Sequence, residues 1–389
     1  MATRLWADLH VHIGSARGRP VKITASRDLT VDGLLEWARE RKGLDVIGIV
    51  DAVSPLVLCE VEEMTAAGEL ARVPGGGLAT EEGLLVLLGA EVETEEGAHF
   101  IFYLPDVRGM RELQRYLAPH ITNPNLSTQK AGISVRELIP FCRHLGGMFC
   151  PAHAFTPHKG AYGTWVARLA DGLGEDTAEV TALELGLSAD AGMADMIAET
   201  ARFNFVTNSD AHSLSTVGRE YNLLEVQEPC FRDIKLALQG QKGRRVIANY
   251  GMHPRLGKYH RTYCPHCRLI TDLPPPVLSC GRCGNPDVVL GVLDRVWQIR
   301  DFDLPQPPPG RPPYHYRVPL AMLPGLSGKR LDRLVQRCGT EIHIAECVGL
   351  AEIAAAVGEK VAVYIDKMRN NQLNIVAGGG GTYGKIQKD

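Results

Sequence analysis

Two histidines end the stretch Leu5-Trp6-Ala7-Asp8-Leu9-His10-Val11-His12, which has the apolar pattern of a short strand. Residues i and i+2 of a β-strand lie on the same face, so His10 and His12 can reach one point. Asp210 and His212 have the same spacing and follow another apolar run. The two pairs predict a cation site at the ends of strands.

Other metal-ligand residue types lie just after apolar runs in the same way. Ligands at many strand ends are typical of a barrel of alternating strands and helices. Imidazoles mixed with carboxylates suit zinc, manganese or iron, and this number of ligands suits two or more ions. Asp51 could equally cap the helix that follows it. The predicted ligands are His10, His12, Asp51, Glu91, His99, His153, Asp210 and His212.

The first part of the chain alternates strand-like and helix-like segments. Thr30 is a predicted helix N-cap, and Ser134 with Glu137 has the spacing of a capping box. This alternation predicts a mainly parallel α/β architecture, with about seven strands around one centre. Strands are predicted near residues 5–9, 46–50, 84–90, 98–103, 147–151, 180–185 and 204–208.

Two C-x-x-C pairs, Cys264 with Cys267 and Cys280 with Cys283, are separated by twelve residues. This spacing predicts one structural zinc held by four thiolates, in a module over 246–303. The module could contact nucleic acid or join two domains. A proline-rich stretch then leads into a basic, mainly helical C-terminal domain, 304–389.

Charge is distributed unevenly along the chain. The net charge of −3 combines −12 up to Gly240 with +9 from Gln241 onward. A basic back half favours a polyanionic partner over chance surface variation. There is no run of 18 apolar residues and no basic-then-apolar leader, and most cysteines are scattered. We therefore expect a cytoplasmic protein with no membrane span and no disulfide framework.

The ligand motifs resemble those of the PHP (polymerase and histidinol phosphatase) superfamily over about residues 1–245. The resemblance implies a distorted seven-stranded barrel over residues 1–245, with a phosphoesterase site for two or three divalent ions (zinc, magnesium or manganese). One departure is clear: the second motif of that superfamily is Thr-Asp-His, whereas this chain has Val50-Asp51-Ala52. The missing histidine puts one metal position in doubt.

When the rest of the chain is included, nearly the full chain resembles endonuclease Q, a PHP-type DNA repair family. The motifs that carry this resemblance include Pro151–Pro157, Asn208–Ser213, Gly218–Asn222, Gly291–Arg295 and the four cysteines. It implies an endonuclease that nicks DNA 5′ to deaminated bases such as uracil, hypoxanthine and xanthine, or to abasic sites. Damaged DNA is then the expected partner, and a sliding clamp is a candidate partner.

Several side chains are candidates for handling the DNA, with a flipped-out nucleotide as the reacting unit. Asp210, His212 and Arg219 are the predicted catalytic residues, although Arg219 could instead pair with Glu220. The candidates for contacting DNA or the base are Tyr162, His158, Gly379, Gly380 and Tyr383. The alternatives are a turn at Tyr162 and a flexible tail around the glycines.

Two other functions use many of the same residues. A small-molecule phosphatase of the histidinol-phosphatase type needs the metals but not the cysteine pairs or the basic back half. A non-catalytic nucleic-acid-binding scaffold would hold a single zinc on the cysteines. Phosphomonoester turnover and metal content distinguish these functions from an endonuclease.

Overall fold

The computed structural model describes residues 2–387. Its eighteen strands are β1 (Thr3–Val11), β2 (Ser15–Ala16), β3 (Arg19–Pro20), β4 (Val46–Ile49), β5 (Ala71–Arg72), β6 (Leu78–Ala79), β7 (Leu85–Glu93), β8 (His99–Leu104), β9 (Met148–Pro151), β10 (Leu183–Glu184), β11 (Phe205–Val206), β12 (Tyr221–Val226), β13 (Arg245–Met252), β14 (Tyr263–Cys264), β15 (Leu269–Ile270), β16 (Tyr314–Arg317), β17 (Ile375–Val376) and β18 (Lys385–Ile386).

The α-helices lie mostly between the strands of the first part and in the last part of the chain. They are α1 (Val31–Glu36), α2 (Pro55–Ala67), α3 (Val107–Leu117), α4 (Val135–His144), α5 (Leu169–Leu173), α6 (Ala191–Ala194), α7 (Phe231–Gln239), α8 (Val292–Ile299), α9 (Lys329–Cys338), α10 (Glu341–Glu346), α11 (Leu350–Val357) and α12 (Glu359–Arg369). Within residues 2–387, the model contains no helix with the length and apolar character that a bilayer crossing requires.

The main sheet runs in the order β16-β13-β12-β1-β4-β7-β6-β5, and β8 pairs with both β7 and β9. A short parallel pair, β10 and β11, lies between β9 and β1. The flanking segments make isolated bridges: Val180, before β10, to Phe149 on β9, and Ala211, after β11, to Val11 on β1. All seven predicted strands are therefore present, but in the described part of the chain β10 and β11 are linked to the main sheet only by these single β-bridges, so the sheet does not close continuously.

The sheet is mixed, whereas the alternation of segments predicted a mainly parallel one. Strands β7, β8 and β9 pair antiparallel, and β12 pairs antiparallel with β1. The reason is the connection 94–98 between β7 and β8, which spans five residues. A parallel crossover needs a dozen or more residues, so this short connection makes a hairpin.

Helix caps follow the sequence only in part. The Thr30 side chain accepts a hydrogen bond from the Gly33 N–H, as predicted. The Ser134 side chain accepts a hydrogen bond from the Arg136 N–H, but its hydroxyl donates to Glu96, which is 38 residues earlier in the chain, at 2.6 Å. The predicted capping-box pairing is therefore replaced by a tertiary contact.

The barrel strands are buried on both faces. Along β7, Leu85 and Leu87 pack in one apolar cluster, while Val86 and Leu88 pack in another. This explains the continuous apolar runs in the sequence, because both faces of a covered strand exclude water. A third cluster lies among α9, α10, α11 and α12 and includes Met252 from the end of β13.

The cysteine module, residues 263–289, brings the four thiols together. The Cys264–Cys283 and Cys267–Cys280 Sγ–Sγ distances are both 3.9 Å. A tetrahedral zinc with Zn–S bonds of about 2.3 Å places its sulfurs about 3.8 Å apart, so the cluster fits zinc. His266 lies beside Cys267 and outside the four-thiol group.

Asp294 on α8 anchors the cysteine module to the barrel. This carboxylate is fully buried and accepts from the Thr262 and Val277 backbone N–H groups and from Arg261. The next residue, Arg295, donates to the Tyr162 carbonyl oxygen at 2.8 Å. One turn of α8 therefore joins the module to the barrel side of the molecule.

Cys280→Ser is expected to remove one zinc per chain and to unfold the cysteine module locally, because the ion supplies the folding free energy of such modules. Metal analysis combined with limited trypsin digestion, which cuts at Arg268 and Arg282 once the module opens, measures both effects. Cys347→Ser, at an exposed cysteine elsewhere in the fold, is the matched control. Unchanged zinc content in Cys280→Ser would contradict a zinc role for the cluster.

Candidate metal centre

Seven of the eight predicted ligands converge at one end of the barrel. They come from the end of β1, from β7, from the start of β8, and from the loops after β9 and β11. His10 Nε2 lies 3.4 Å from His12 Nε2 and 3.5 Å from Glu91 Oε1. His12 Nε2 is 3.3 Å from Asp210 Oδ1, and His153 Nε2 is 3.2 Å from Glu91 Oε1.

These donors form three overlapping groups in which the ligand atoms lie within 4.8 Å of one another. Such mixed nitrogen and carboxylate sets are typical of sites for divalent transition metals. The residues present therefore fit the expected cofactor, and their overlap provides places for more than one ion. The groups are His10, His12 and Glu91; His12, Asp210 and His212; and Glu91, His99 and His153.

Asp51 is not among the converging donors, which corrects its place in the predicted ligand set. Its Oδ1 is 3.0 Å from His12 Nδ1, the ring nitrogen opposite the one that faces the cluster, and its Oδ2 accepts from the Ile13 N–H. Asp51 therefore orients the His12 ring from behind. Glu184 does the same for His10, with 3.0 Å between Oε2 and Nδ1.

The sequence analysis missed Glu184, although a signal was present. It is a lone carboxylate inside the apolar run at 182–185, and such a residue is buried only when it is paired. Carboxylates behind metal-type histidines fix the ring orientation and the tautomer. Lys22, which also contacts Glu91, was not predicted either, because a single lysine between Val21 and Ile23 gives no comparable signal.

The electrostatics of the centre favour positive charge. Burial alone would lower the pKa of His10, but Glu184, Asp210 and Glu91 raise it to about 10. Burial alone would raise the pKa of Glu91, but the neighbouring His99 and Lys22 hold it well below its usual range. A buried site with ionised carboxylates attracts cations, which agrees with the donor chemistry.

Two of the converging residues have left-handed backbone conformations, which residues other than glycine rarely adopt. The φ angles are +29° at His153 and +45° at Asp210. Strain of this kind persists where surrounding contacts hold it in place, and it clusters at functional sites. At Asp210 the backbone carbonyl oxygen accepts from His212 Nδ1 at 3.0 Å and from Arg219.

A cavity of about 740 Å³ opens above the converging residues. Its volume falls within the range of small-molecule pockets and can hold one nucleotide. Besides the predicted metal ligands, its wall includes His158, Lys159, Ser188, Arg219, Lys258 and Tyr383. His158 also packs edge-on against Tyr259.

Arg219 and Tyr383 form one wall of this cavity. The Arg219 Nη1 donates to the Tyr383 hydroxyl at 2.7 Å, and its Nε donates to the Ser209 carbonyl oxygen at 2.7 Å. The alternative pairing with Glu220 is wrong, since that carboxylate is buried and accepts from the Met252 N–H. Lys258 Nζ lies 4.6 Å from the centre of the Tyr383 ring, on the same wall.

Tyr162 is misplaced in the predicted set of base-contacting residues. Its ring is fully buried and stacks on Phe155 with 5.1 Å between centroids, while its hydroxyl donates to Glu199. In this fold Tyr162 is a core residue, and it is not among the residues that line the cavity above the converging ligands. Its place beside the His153 motif in sequence does not bring the ring to the site.

The glycine-rich run is an ordered loop in the structure. Gly378 donates its N–H to the Arg255 carbonyl oxygen at 2.7 Å, and Gly379 and Thr382 exchange two backbone hydrogen bonds. A Cβ at Gly380 would lie 2.6 Å from the Tyr263 ring of the cysteine module. The close backbone approach is thus to that module, and DNA contact by Gly379 and Gly380 stays a prediction.

Comparison with known proteins places this arrangement in a family. A family model described as PHP-associated matches residues 191–240. The chain is 39% identical to the uncharacterized protein YqxK of Bacillus subtilis, with 99% of each chain covered. It is 31% identical to the lesion-specific endonuclease PfuEndoQ from Pyrococcus furiosus, with 99% of this chain and 95% of that one covered and a TM-score of 0.84. The chain belongs to the endonuclease Q family.

A second endonuclease Q structure, a complex with a 27-mer duplex substrate that carries an abasic lesion at the active site, is 32% identical with a TM-score of 0.85. The alignment covers 100% of this chain and 97% of that one. Membership in the endonuclease Q family confirms the predicted resemblance and the predicted fold class. The match spans the cysteine module and the helical C-terminal region as well as the barrel.

Glu184→Gln in this endonuclease Q family member is expected to weaken binding of Mn²⁺ by about 10- to 100-fold, because the His10 ring loses the carboxylate that orients it. Titration of the metal-depleted protein with Mn²⁺ measures the change. Glu175→Gln removes an exposed carboxylate away from the cluster and is the control. Equal affinity in both variants would show that Glu184 does not support a metal ligand.

Proposed function

We propose that this protein is a metal-dependent DNA endonuclease that nicks a strand on the 5′ side of deaminated bases or abasic sites. The observation that carries the proposal is the cluster of imidazoles and carboxylates at the floor of a nucleotide-sized cavity. Two full-length structural relatives support it, one named as a lesion-specific endonuclease and one bound to duplex DNA with an abasic lesion.

In this proposal His10, His12, Glu91, His99, His153, Asp210 and His212 hold two or three divalent ions. Such ions lower the pKa of bound water toward about 7 and stabilise charge on phosphoryl oxygens. Asp51 keeps the His12 ring in place from behind, and Glu184 does the same for the His10 ring. These buried supports let the centre keep its geometry when DNA arrives.

The chain contributes the walls that receive the reacting nucleotide. Arg219 is held by the Tyr383 hydroxyl and by two backbone carbonyl oxygens, so its guanidinium is positioned before substrate binds. This guanidinium is proposed to bind a phosphate oxygen next to the scissile bond. The Tyr383 ring, with Lys258 against it, is proposed to contact the extruded nucleotide.

Cations outside the cavity are proposed to hold the DNA backbone. Arg255, Arg268 and Arg282 are exposed on and beside the cysteine module. Arg255 also lies next to the glycine loop, which leads to Tyr383 in the cavity wall. In the proposed domain division, the barrel (1–245) thus carries out phosphodiester cleavage. The cysteine-bearing module (246–303) and the C-terminal domain (304–389) contact the DNA backbone. Contact with a sliding clamp stays a prediction.

Asp210→Asn is expected to abolish nicking while leaving DNA affinity within a few-fold. The substitution replaces a carboxylate metal ligand with a weaker amide ligand of the same size, so the shape of the cavity is kept. The assay uses end-labelled duplexes that carry uracil, hypoxanthine, an abasic site or no lesion, each with Mg²⁺, Mn²⁺ or Zn²⁺. Exposed Asp171→Asn is the matched control. Wild-type nicking by Asp210→Asn would remove Asp210 from the proposed catalytic set.

The same assay separates the alternatives to an endonuclease. Turnover of phosphomonoesters without nicking would support the small-molecule phosphatase. DNA binding with neither activity, and with one zinc per chain, would support the scaffold.

The salt dependence of DNA affinity tests the proposed binding of the DNA phosphate backbone by these arginines. Because cations on the protein displace counterions from the DNA, we expect affinity for a lesion duplex to fall by about 10³-fold between 50 and 200 mM salt. Arg282→Gln is expected to reduce the slope of log affinity against log salt by about one unit. Fluorescence anisotropy across a salt series measures both values, and a flat response in the wild type would contradict backbone binding by these residues.

A further inference from the structure

Lys22 is a lysine that the fold places inside the metal centre. Its backbone N–H donates to the Ile13 carbonyl oxygen at 3.0 Å, which fixes the residue beside the end of β1. From there the side chain extends inward and is 13% exposed. A lysine this buried needs compensating partners, because removing an ammonium from water is costly.

The ammonium has two such partners. Lys22 Nζ lies 3.2 Å from Glu91 Oε2 and 2.8 Å from Thr128 Oγ1, and the Thr128 hydroxyl donates to the same Glu91 oxygen at 2.9 Å. An ammonium carries three N–H donors. Two are used in these contacts, and the side chain lines the cavity, so the third is available to a bound oxyanion.

The two Glu91 oxygens therefore face different surroundings. Oε1 lies 2.9 Å from His99 Nδ1 and 3.2 Å from His153 Nε2, which are metal-type nitrogens. Oε2 lies against the Lys22 ammonium and the Thr128 hydroxyl, at 3.2 and 2.9 Å, and His12 Nε2 is farther away at 3.5 Å. A carboxylate that bridges two metal ions uses both of its oxygens. In Glu91 the second oxygen, Oε2, is already in contact with the Lys22 ammonium.

We propose that Lys22 is a built-in cation of this centre, which takes the place of a metal ion at Glu91 Oε2 and offers its third N–H to a phosphate oxygen of the substrate. The inference rests on the proposed function, since it assumes that Glu91 and its histidines bind metal. It limits the number of ions in the barrel, because an ammonium at this oxygen repels a further dication. It also makes Lys22 a catalytic residue.

The first test counts ions in the full-length protein dialysed against Mn²⁺. Lys22→Met is expected to bind one more Mn²⁺ per chain than the wild type, while Lys22→Arg, which keeps the charge, binds the wild-type number. Lys159→Met is the matched control, because Lys159 also lines the cavity but pairs with Glu93. An equal ion count in Lys22→Met and the wild type would overturn the replacement of a metal ion by Lys22.

The second test measures nicking of an abasic duplex at saturating Mn²⁺. Loss of one preorganised donor to the phosphate is expected to lower kcat by about 100-fold in Lys22→Met, with a smaller loss in Lys22→Arg. A wild-type kcat in Lys22→Met would overturn the phosphate contact. Thermal unfolding of each variant checks that the fold is retained, and Lys22→Arg carries the test if Lys22→Met is unstable.

Different results would contradict the proposed function and the proposed role of Lys22. If the wild-type barrel binds no Mn²⁺ and nicks no lesion duplex, the proposed function is wrong. If the wild type binds Mn²⁺ and nicks DNA, while Lys22→Met has the same ion count and the same kcat, only the role of Lys22 is wrong.

Discussion

The Glu91 carboxylate is the group around which the centre is arranged. It lies on β7, where it pairs with Ile101 of β8 and donates its backbone N–H to the Val50 carbonyl oxygen, just after β4, at 2.8 Å, so its backbone is held on both sides. Its side chain is almost completely buried. A buried carboxylate is costly unless positive charge compensates it. The surrounding imidazoles and the Lys22 ammonium supply that compensation, and the same requirement makes the site a cation site.

The centre also depends on residues that do not face it. Asp51 and Glu184 hold two histidine rings from behind, and Asp294 fixes the cysteine module against the barrel. The Gly378–Thr382 loop packs on that module and leads to Tyr383 at the cavity wall. The cavity is thus built by the barrel together with the C-terminal part of the chain. An isolated barrel would lack this wall, which is consistent with a family likeness that spans the full length.

The strand positions and the resemblance to the endonuclease Q family could be predicted from the sequence, because apolar runs and short ligand spacings are local signals. Roles that depend on side-chain direction could not be predicted in the same way. Asp51 directly follows an apolar run and is an aspartate like Asp210, yet its carboxylate faces the Nδ1 side of the His12 ring, away from the other ligands. Tyr162 lies near the His153 motif, yet it packs on Phe155 in the core. The role of each as a ligand or a DNA contact is decided by partners far away in the chain.

The sequence by itself determined which residue types are available: two strand-end pairs with i, i+2 spacing, four cysteines with zinc spacing, and seven apolar strands. Those features depend on backbone periodicity and on neighbours within a few residues. The tertiary structure alone decided that Glu184 supports His10, that Lys22 reaches Glu91, and that the strands form a mixed sheet with single-bridge junctions. These contacts join segments as far apart in the chain as Val11 and Ala211, and only the packing of the whole chain sets the direction in which such side chains point.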